Sequence, residues 1–454
     1  MYCMRCGEAI KPGKKFCAHC GRPVSAAKSE GAKAPTEAPP SGAGEESPHP
    51  VQQSRARRLF NLIPRWAAYV AISLFVVLII AIVLVVTLTT NENRTRAEKL
   101  ISEAKALMER YEFDKAEDRC NQAVGLDPNY ADAYINLSKS HIGLYQYPEA
   151  LEDANRAVKL EPGNAECYIR RAEAYNGLFE PEKGEADASK AVKLQPGNAD
   201  TYRVRAGSRV ELFNAKEAIA DCDKALKLDP KSSMAYTLRA NAYHLLGDTE
   251  KGLADAQKAI ELDPKNPFAY DQRSEMYQEL EEADKALADV NKSLELYPGN
   301  IWGLLGRADC YEMMNQADKA YSDITKAIEI NNMYPPPRYW LASWLKGQER
   351  YQEAIDNYNK SIELGEKDSN VYVSRGGAYY KTGDYTRALD DFNKALEMGI
   401  PWGGESDGYF WRGATYYKLG RSDEAIADFK KTLELDPGDE DAREYLKALS
   451  VPGY

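Results

Sequence analysis

Cys3, Cys6, Cys17 and Cys20 are the side chains in this sequence whose types and spacing could do chemistry together. They form two Cys-x-x-Cys pairs with ten residues between them, in MYCMRCGEAIKPGKKFCAHCG, and a glycine follows each pair (Gly7 and Gly21). Two such turns can converge four thiolates on one tetrahedral ion, and glycine permits the positive φ that these turns often need. Lys11-Pro12-Gly13-Lys14 supplies a tight reversal between the pairs. The expected chemistry is structural zinc (Zn2+), with a redox dithiol or a pair of disulfides as the alternatives. A closed four-cysteine site leaves no position open for water or substrate, so no catalysis is expected there. The stretch is too short to build a core, and the metal would supply its folding free energy. His19, between the last two cysteines, is read as exposed rather than as a ligand.

Residues 1–22 resemble the short zinc-ribbon modules found at the N-termini of many prokaryotic membrane and regulatory proteins. Arg5, Lys11, Lys14, Lys15 and Arg22 make the module basic, a thin basis for nucleic-acid contact. Residues 23–65 form a linker. Its Ala, Pro, Ser, Gly and Glu content cannot bury enough surface to offset ordering entropy, and it ends on Arg55, Arg57, Arg58 and Arg65.

Trp66 to Leu88 contains no charge, and only Ser73 and Thr87 interrupt its apolar surface. As a helix it would reach roughly 34 Å, enough for a hydrocarbon core of about 30 Å. A transmembrane helix over 66–90 is therefore expected. It begins too far from the N-terminus, and is too long, for a cleaved signal peptide. Four arginines precede it, while Arg94, Arg96 and Lys99 follow among acids. That weakly places the N-terminus in the cytoplasm. Thiolate ligands also persist best in a reducing compartment. The expected topology is single-pass, with a cytoplasmic N-terminus and an extracytoplasmic remainder. Four further cysteines in that remainder, without disulfide spacing, weigh the other way.

The net charge of −11 hides an asymmetry: residues 1–96 carry 13 Lys/Arg against 6 Asp/Glu, and the rest 46 against 64. The acidic part argues against a nucleic-acid surface there. From residue 97 a pattern recurs every 34 residues, marked by LDP at Pro128, LEP at Pro162, LQP at Pro196, LDP at Pro230 and Pro264, and LYP at Pro298. Three extra residues within PWGGES precede the last repeat, which ends with LDP at Pro437. Ten repeats over 97–439 and a capping helix and tail at 440–454 are expected, each repeat being two helices. Counting Ala131 as position 1, position 4 is mostly Tyr, position 8 mostly small, position 11 mostly aromatic, and position 20 Ala or Gly throughout. Small residues let antiparallel helices approach closely, and large ones fill the space to the next repeat.

This pattern resembles the tetratricopeptide repeat over about three quarters of the chain. The resemblance implies an all-α fold, a right-handed superhelix of helix pairs (an α-solenoid). Its concave groove would be lined by first-helix positions 2, 5, 6, 9, 12 and 13 and would bind a protein or peptide segment. In the early repeats those positions are mixed: Asn136, Lys139, Ile142, Arg170, Glu173 and Asn176. Later they turn aromatic, and Trp302, Tyr339, Trp340, Tyr380, Phe410, Trp411 and Tyr417 are the candidate peptide-binding residues. Extra packing at the irregular Tyr334–Pro337 and Pro401–Gly404 junctions is the competing reading.

Position 7 departs from the family's usual leucine, being Arg171, Arg205, Arg239, Arg273, Arg307, Arg375 and Arg412. Position 23 of the same repeats is Asp187, Asp221, Asp255, Asp289, Asp323, Asp391 and Asp428. The first repeat swaps the signs (Glu103, Arg119), the eighth loses both charges (Leu341, Asn357), and the second breaks the rule with Leu137 and Asp153. A salt-bridge ladder within repeats is expected. The remaining carboxylates are read as a solvated helix face. HExxH, GxSxG, GxxxxGK[ST] and strand-borne GxGxxG are absent, and His141 and His244 stand apart from one another. The chain reads as a membrane-anchored scaffold and not as an enzyme, with neither a nucleic acid nor a small-molecule substrate expected. The alternatives are a regulator whose zinc ribbon meets nucleic acid or a cytoplasmic machine, and an assembly factor of reversed orientation.

Overall fold

The computed structural model describes residues 65–400 and 404–453. The four candidate zinc ligands and the linker through residue 64 lie outside the described residues. Two compact units divide the chain, Met1–Leu78 and Ile79–Tyr454. Of the first, the described part is the start of a helix, Arg65–Met108, in which every described side chain from Ser73 to Leu88 is exposed. A stretch of this helix reaches a mean hydropathy of 2.9, long and apolar enough to cross a membrane. From Ala97 its character changes, and Ala97, Ile101, Ala104 and Met108 are buried against the next helix, Phe113–Leu126.

Among the described residues, the second unit is an all-helical solenoid of ten helix pairs, from the C-terminal part of Arg65–Met108 with Phe113–Leu126 to Glu405–Lys418 with Ser422–Leu435, closed by a final helix, Glu440–Ala448. The pairs stack because position 20 is Ala or Gly, and wherever it is Ala (Ala116, Ala150, Ala218, Ala286, Ala320, Ala354, Ala388, Ala425) it is fully buried. Gly252 shows the tolerance: a Cβ there would lie 2.7 Å from Met276 Cε. Asn164, Asn198 and Asn266 cap first helices by accepting the amide N–H two residues on. The position-4 tyrosines bind the turn that precedes them, Tyr134, Tyr168, Tyr202 and Tyr270 donating to the carbonyls of Pro128, Pro162, Pro196 and Pro264 at 3.0–3.3 Å. Part of the tyrosine excess, 30 against 10 phenylalanines, is spent on this clasp.

The turn between the two helices of each repeat places position 15 in the left-handed region. All ten do so, with Gly247, Gly383 and Gly420 at φ 71–83° and Tyr111, Tyr145, Phe179, Phe213, Glu281, Asn315 and Glu349 at φ 56–59°. A side chain with a Cβ costs roughly 1–2 kcal/mol there. In the first four repeats the strained residue is aromatic, and Tyr111 and Tyr145 find their partners about five repeats away. Tyr111 stacks on Tyr297 with centroids 5.2 Å apart, and Tyr145 lies 5.3 Å from Tyr334. Tyr297 Oη donates to the Gly143 carbonyl, and Asn331 Nδ2 to the Tyr145 carbonyl at 3.0 Å. Lys367 Nζ reaches the Leu178 carbonyl and Glu180, each at 3.3 Å. Successive turns of the solenoid therefore touch along a seam, where the mid-repeat turns of repeats 1–3 rest on the junctions around repeats 6–9.

The ladder forms with two-pronged geometry. Arg171, Arg205, Arg239, Arg273, Arg307, Arg375 and Arg412 each give Nε and Nη2 to the two oxygens of Asp187, Asp221, Asp255, Asp289, Asp323, Asp391 and Asp428, at 2.6–2.8 Å. Arg119 meets Glu103 at 3.2 Å, as the swapped signs require. The remaining Nη1 of most of these arginines turns to the preceding repeat, as in Arg171–Asn155, Arg307–Asn291 and Arg375–Asn359. The guanidinium also lies over the position-4 ring, Arg239 Cζ being 5.3 Å from the Tyr236 centroid. In repeat 2, His141 takes the vacant role, with Nδ1 2.8 Å from Asp153 Oδ2. In repeat 8, Arg338 reaches Asn357 at 3.3 Å.

Candidate functional site

Because the turns touch, the first helices enclose an interior rather than an open trough. One cavity of about 520 Å³ is bordered by Glu173, Arg203, Glu211, Asp271, Gln272, Glu275 and Trp302, residues at the groove positions 2, 5, 6, 9 and 13 of repeats 3, 4, 6 and 7. A second, of about 710 Å³, lies between Glu211 and Phe213 on one side and Trp302, Tyr339 and Trp340 on the other.

The seven aromatic candidates separate into two groups. Trp302 is 44% exposed, borders both cavities and meets the edge of Tyr334 at 6.2 Å. Tyr339 and Trp340 border the larger cavity, Tyr339 also packing on Tyr358 at 5.8 Å. Tyr380, Phe410, Trp411 and Tyr417 instead pack together at the C-terminal end. Tyr380 and Phe410 lie 5.5 and 5.4 Å from Trp411, and Phe410 and Tyr417 lie 6.0 and 5.2 Å from Tyr445 of the final helix.

The interior charges are organised differently in its two halves. In repeats 3 and 4 the arginines are satisfied: Arg170 bonds both Glu166 and Glu173, and Arg203 bonds Asp200 at 2.9 Å and Glu173 at 3.2 Å. Burial pushes the Lys139 ammonium below the usual lysine range, and the neighbouring Arg170 adds to it.

In repeats 5–7 the wall is acidic. The groove positions there hold Asp271, Glu275, Glu279, Asp309 and Glu312, and no Lys or Arg. Burial pushes Asp271 up to about 7 and Asp309 up to about 8, with Glu275 adding to both and Glu312 to the latter. Desolvation by the surrounding walls likewise raises Glu275, Glu312 and, from repeat 4, Glu211, although all three side chains reach solvent. The one basic side chain at these positions is the His244 imidazole, 2.7 Å from Glu279 Oε1 and 3.7 Å from Glu275 Oε2. Glu275, Glu279 and Glu312 are exposed, in line with the reading of the acids as a solvated face, whereas Asp271 and Asp309 are only partly exposed. The signal that finds them is the groove register applied to repeats 5–7, which separates them from the acids on the outer helices.

Among the described residues no group of three or more His, Cys, Asp or Glu side chains is placed to hold a metal. Cys120, Cys167, Cys222 and Cys310 are buried and unbridged, as expected of apolar filler.

Two family models, both described as tetratricopeptide repeat, match this chain, one at residues 233–266 and 406–439 and the other at 341–405. No curated protein matches. Among solved structures, the crystal structure of the APC/C hetero-tetramer Cut9-Hcn1 is similar with a TM-score of 0.56 at 15% identity, over 78% of this chain and 76% of that one. The crystal structure of yeast Tom70 has a TM-score of 0.42 at 17% identity, over 78% of this chain and 95% of that one. A tetratricopeptide repeat protein from Parabacteroides merdae has 0.41 at 23% identity, over 56% and 98%. The first of these likenesses shows the fold alone. The chain carries tetratricopeptide repeats in an all-helical solenoid, a scaffold typical of protein–protein interaction.

Proposed function

We propose that this protein is a non-catalytic, membrane-anchored scaffold that captures a segment of another polypeptide inside its tetratricopeptide-repeat solenoid. The observation that carries the reading is the interior cavity with Trp302 on its wall, a large amphipathic ring left 44% exposed where neighbouring aromatics pack away. Single-pass anchoring is supported by the exposed apolar surface of Arg65–Met108 and by the way its hydroxyls serve their own helix. Ser73 Oγ donates to the Tyr69 carbonyl and Thr87 Oγ1 to the Leu84 carbonyl, each at 2.9 Å. Flanking arginines and the thiolate set favour a cytoplasmic N-terminus with the repeats outside. Cys3, Cys6, Cys17 and Cys20 are a donor set suited to one structural zinc, which would fold the N-terminal ribbon when bound.

A photo-crosslinking residue at position 302 tests the groove: it should trap a polypeptide in cells, and the same residue at Tyr417 should not. Equal trapping at both positions, or none at 302, defeats the reading. Protease added to intact cells should cleave the repeats, and the purified full-length chain should carry one zinc, lost in Cys3→Ser/Cys6→Ser.

A further inference from the structure

We propose that the acidic interior wall of repeats 5–7, joined by Glu211, holds an arginine or lysine side chain of the captured segment. This rests on the groove reading above and names the chemistry of what the groove takes. Three features point the same way. The wall's groove positions combine five carboxylates with no Lys or Arg, whereas the guanidinium groups of Arg170 and Arg203 are paired with acids across repeats 3–4.

The wall also leaves acceptors without donors. Glu211, at the edge of both cavities, is exposed and forms no hydrogen bond or ion pair, and Asp309, partly buried and outside both cavities, forms none either. Asp271 Oδ1 and Gln272 Oε1 are buried oxygens with no donor, on the same side of the smaller cavity. Uncompensated groups of this kind cost stability, and a cationic donor arriving with a ligand removes that cost.

The aromatic surroundings complete the match. Trp302 and Phe268 border the cavity that Asp271 and Glu275 enter, and a guanidinium or ammonium between a carboxylate and a ring face gains from both. A bare divalent ion has no ligand set, because the carboxylates do not converge in threes. A cation carried on a flexible side chain can reach them singly.

The test uses the full-length protein in detergent micelles, a phage-displayed library of random dodecapeptides, and the variant Glu211→Gln/Glu275→Gln/Asp309→Asn. Selected peptides should be enriched in Arg and Lys. The best of them should bind the variant at least about tenfold more weakly, and replacing its arginines by citrulline should abolish the difference. The variant should melt at or above the wild-type temperature, since it removes carboxylates from an acidic cluster, and Glu211→Gln alone provides a milder check. Peptides that bind without basic enrichment, and equally well to the variant, overturn the cation site while leaving the groove reading intact. A library that yields no binder overturns both. Spermidine displacing the peptide at equal affinity overturns the peptide side chain in favour of a free polyamine.

Discussion

Tyr145 Oη donates a hydrogen bond to Asn300 Oδ1 at 3.2 Å and accepts one from the Ile301 amide at 3.1 Å, joining repeat 2 to the start of repeat 7. Tyr145 is 7% exposed, so the hydroxyl has no water to fall back on. Tyr145→Phe strands the Ile301 amide and should cost about 1–3 kcal/mol. Hydrogen exchange separates a seam from a local effect: a solenoid held only by neighbour contacts loosens near repeat 2 alone. Exchange should rise in repeats 6 and 7 as well, and protection unchanged there would show that the hydroxyl does not hold the seam.

The ladder makes a sharper energetic claim. Asp391 binds Arg375 through both oxygens, with side chains 7% and 17% exposed. Asp391→Ala leaves a guanidinium in a partly buried site and should cost roughly 3 kcal/mol. Arg375→Ala should cost a similar amount, because burial already pushes the Asp391 carboxyl up and it would lose its partner. The double variant should cost far less than the sum, with a coupling of about 1–3 kcal/mol by urea denaturation. Strict additivity would reduce the ladder to a spacing coincidence.

The ladder is legible in the sequence because both partners sit in one repeat at a fixed separation. The seam is not, since it arises from a small rotation summed over several repeats, and nothing near Tyr145 announces Asn300. A trace is present: position 15 is aromatic in repeats 1–4 and glycine in repeats 5, 9 and 10, a contrast that makes sense only once the backbone there is known to be left-handed. Repeat 2 shows the limit of reading one position at a time. Its arginine is missing at Leu137, and His141, one helical turn on, supplies the contact to Asp153. Of the candidate site, the ring of Trp302 was visible as a groove residue, whereas Tyr417 packs on Tyr445 of a helix whose docking no repeat pattern encodes.

Asp271 and Asp309 make stability fall as pH rises. Burial pushes their carboxyls up to about 7 and about 8, against about 4 in an unfolded chain. Between those values the folded protein keeps protons that the unfolded chain has released, so deprotonation favours unfolding. Stability should decline from about pH 4 to about pH 8 and level off above. Asp309→Asn should flatten the upper part of that decline, as followed by melting temperature across pH, and an unchanged profile would place the titration elsewhere.

Position 15 offers a test in which one substitution changes sign with its surroundings. Glu281 and Glu349 sit at φ 57° and 59° with exposed side chains, so their strain is offset by no burial. Replacing either by glycine should stabilise the protein by up to about 1 kcal/mol, reduced by the extra freedom of the unfolded chain. Tyr145→Gly relieves the same strain, at φ 59°, but also removes a buried ring and two hydrogen bonds of the seam. Losses of that kind run to about 3–5 kcal/mol, well above the strain released. Tyr145→Gly should therefore destabilise while Glu281→Gly and Glu349→Gly stabilise, in parallel urea titrations of the full-length chain. If all three shifted in the same direction, the aromatic residues of the early repeats would owe nothing to the seam. The left-handed turn would then be a uniform feature of every repeat, and the packing of repeats 1–3 on repeats 6–9 would carry no net energy.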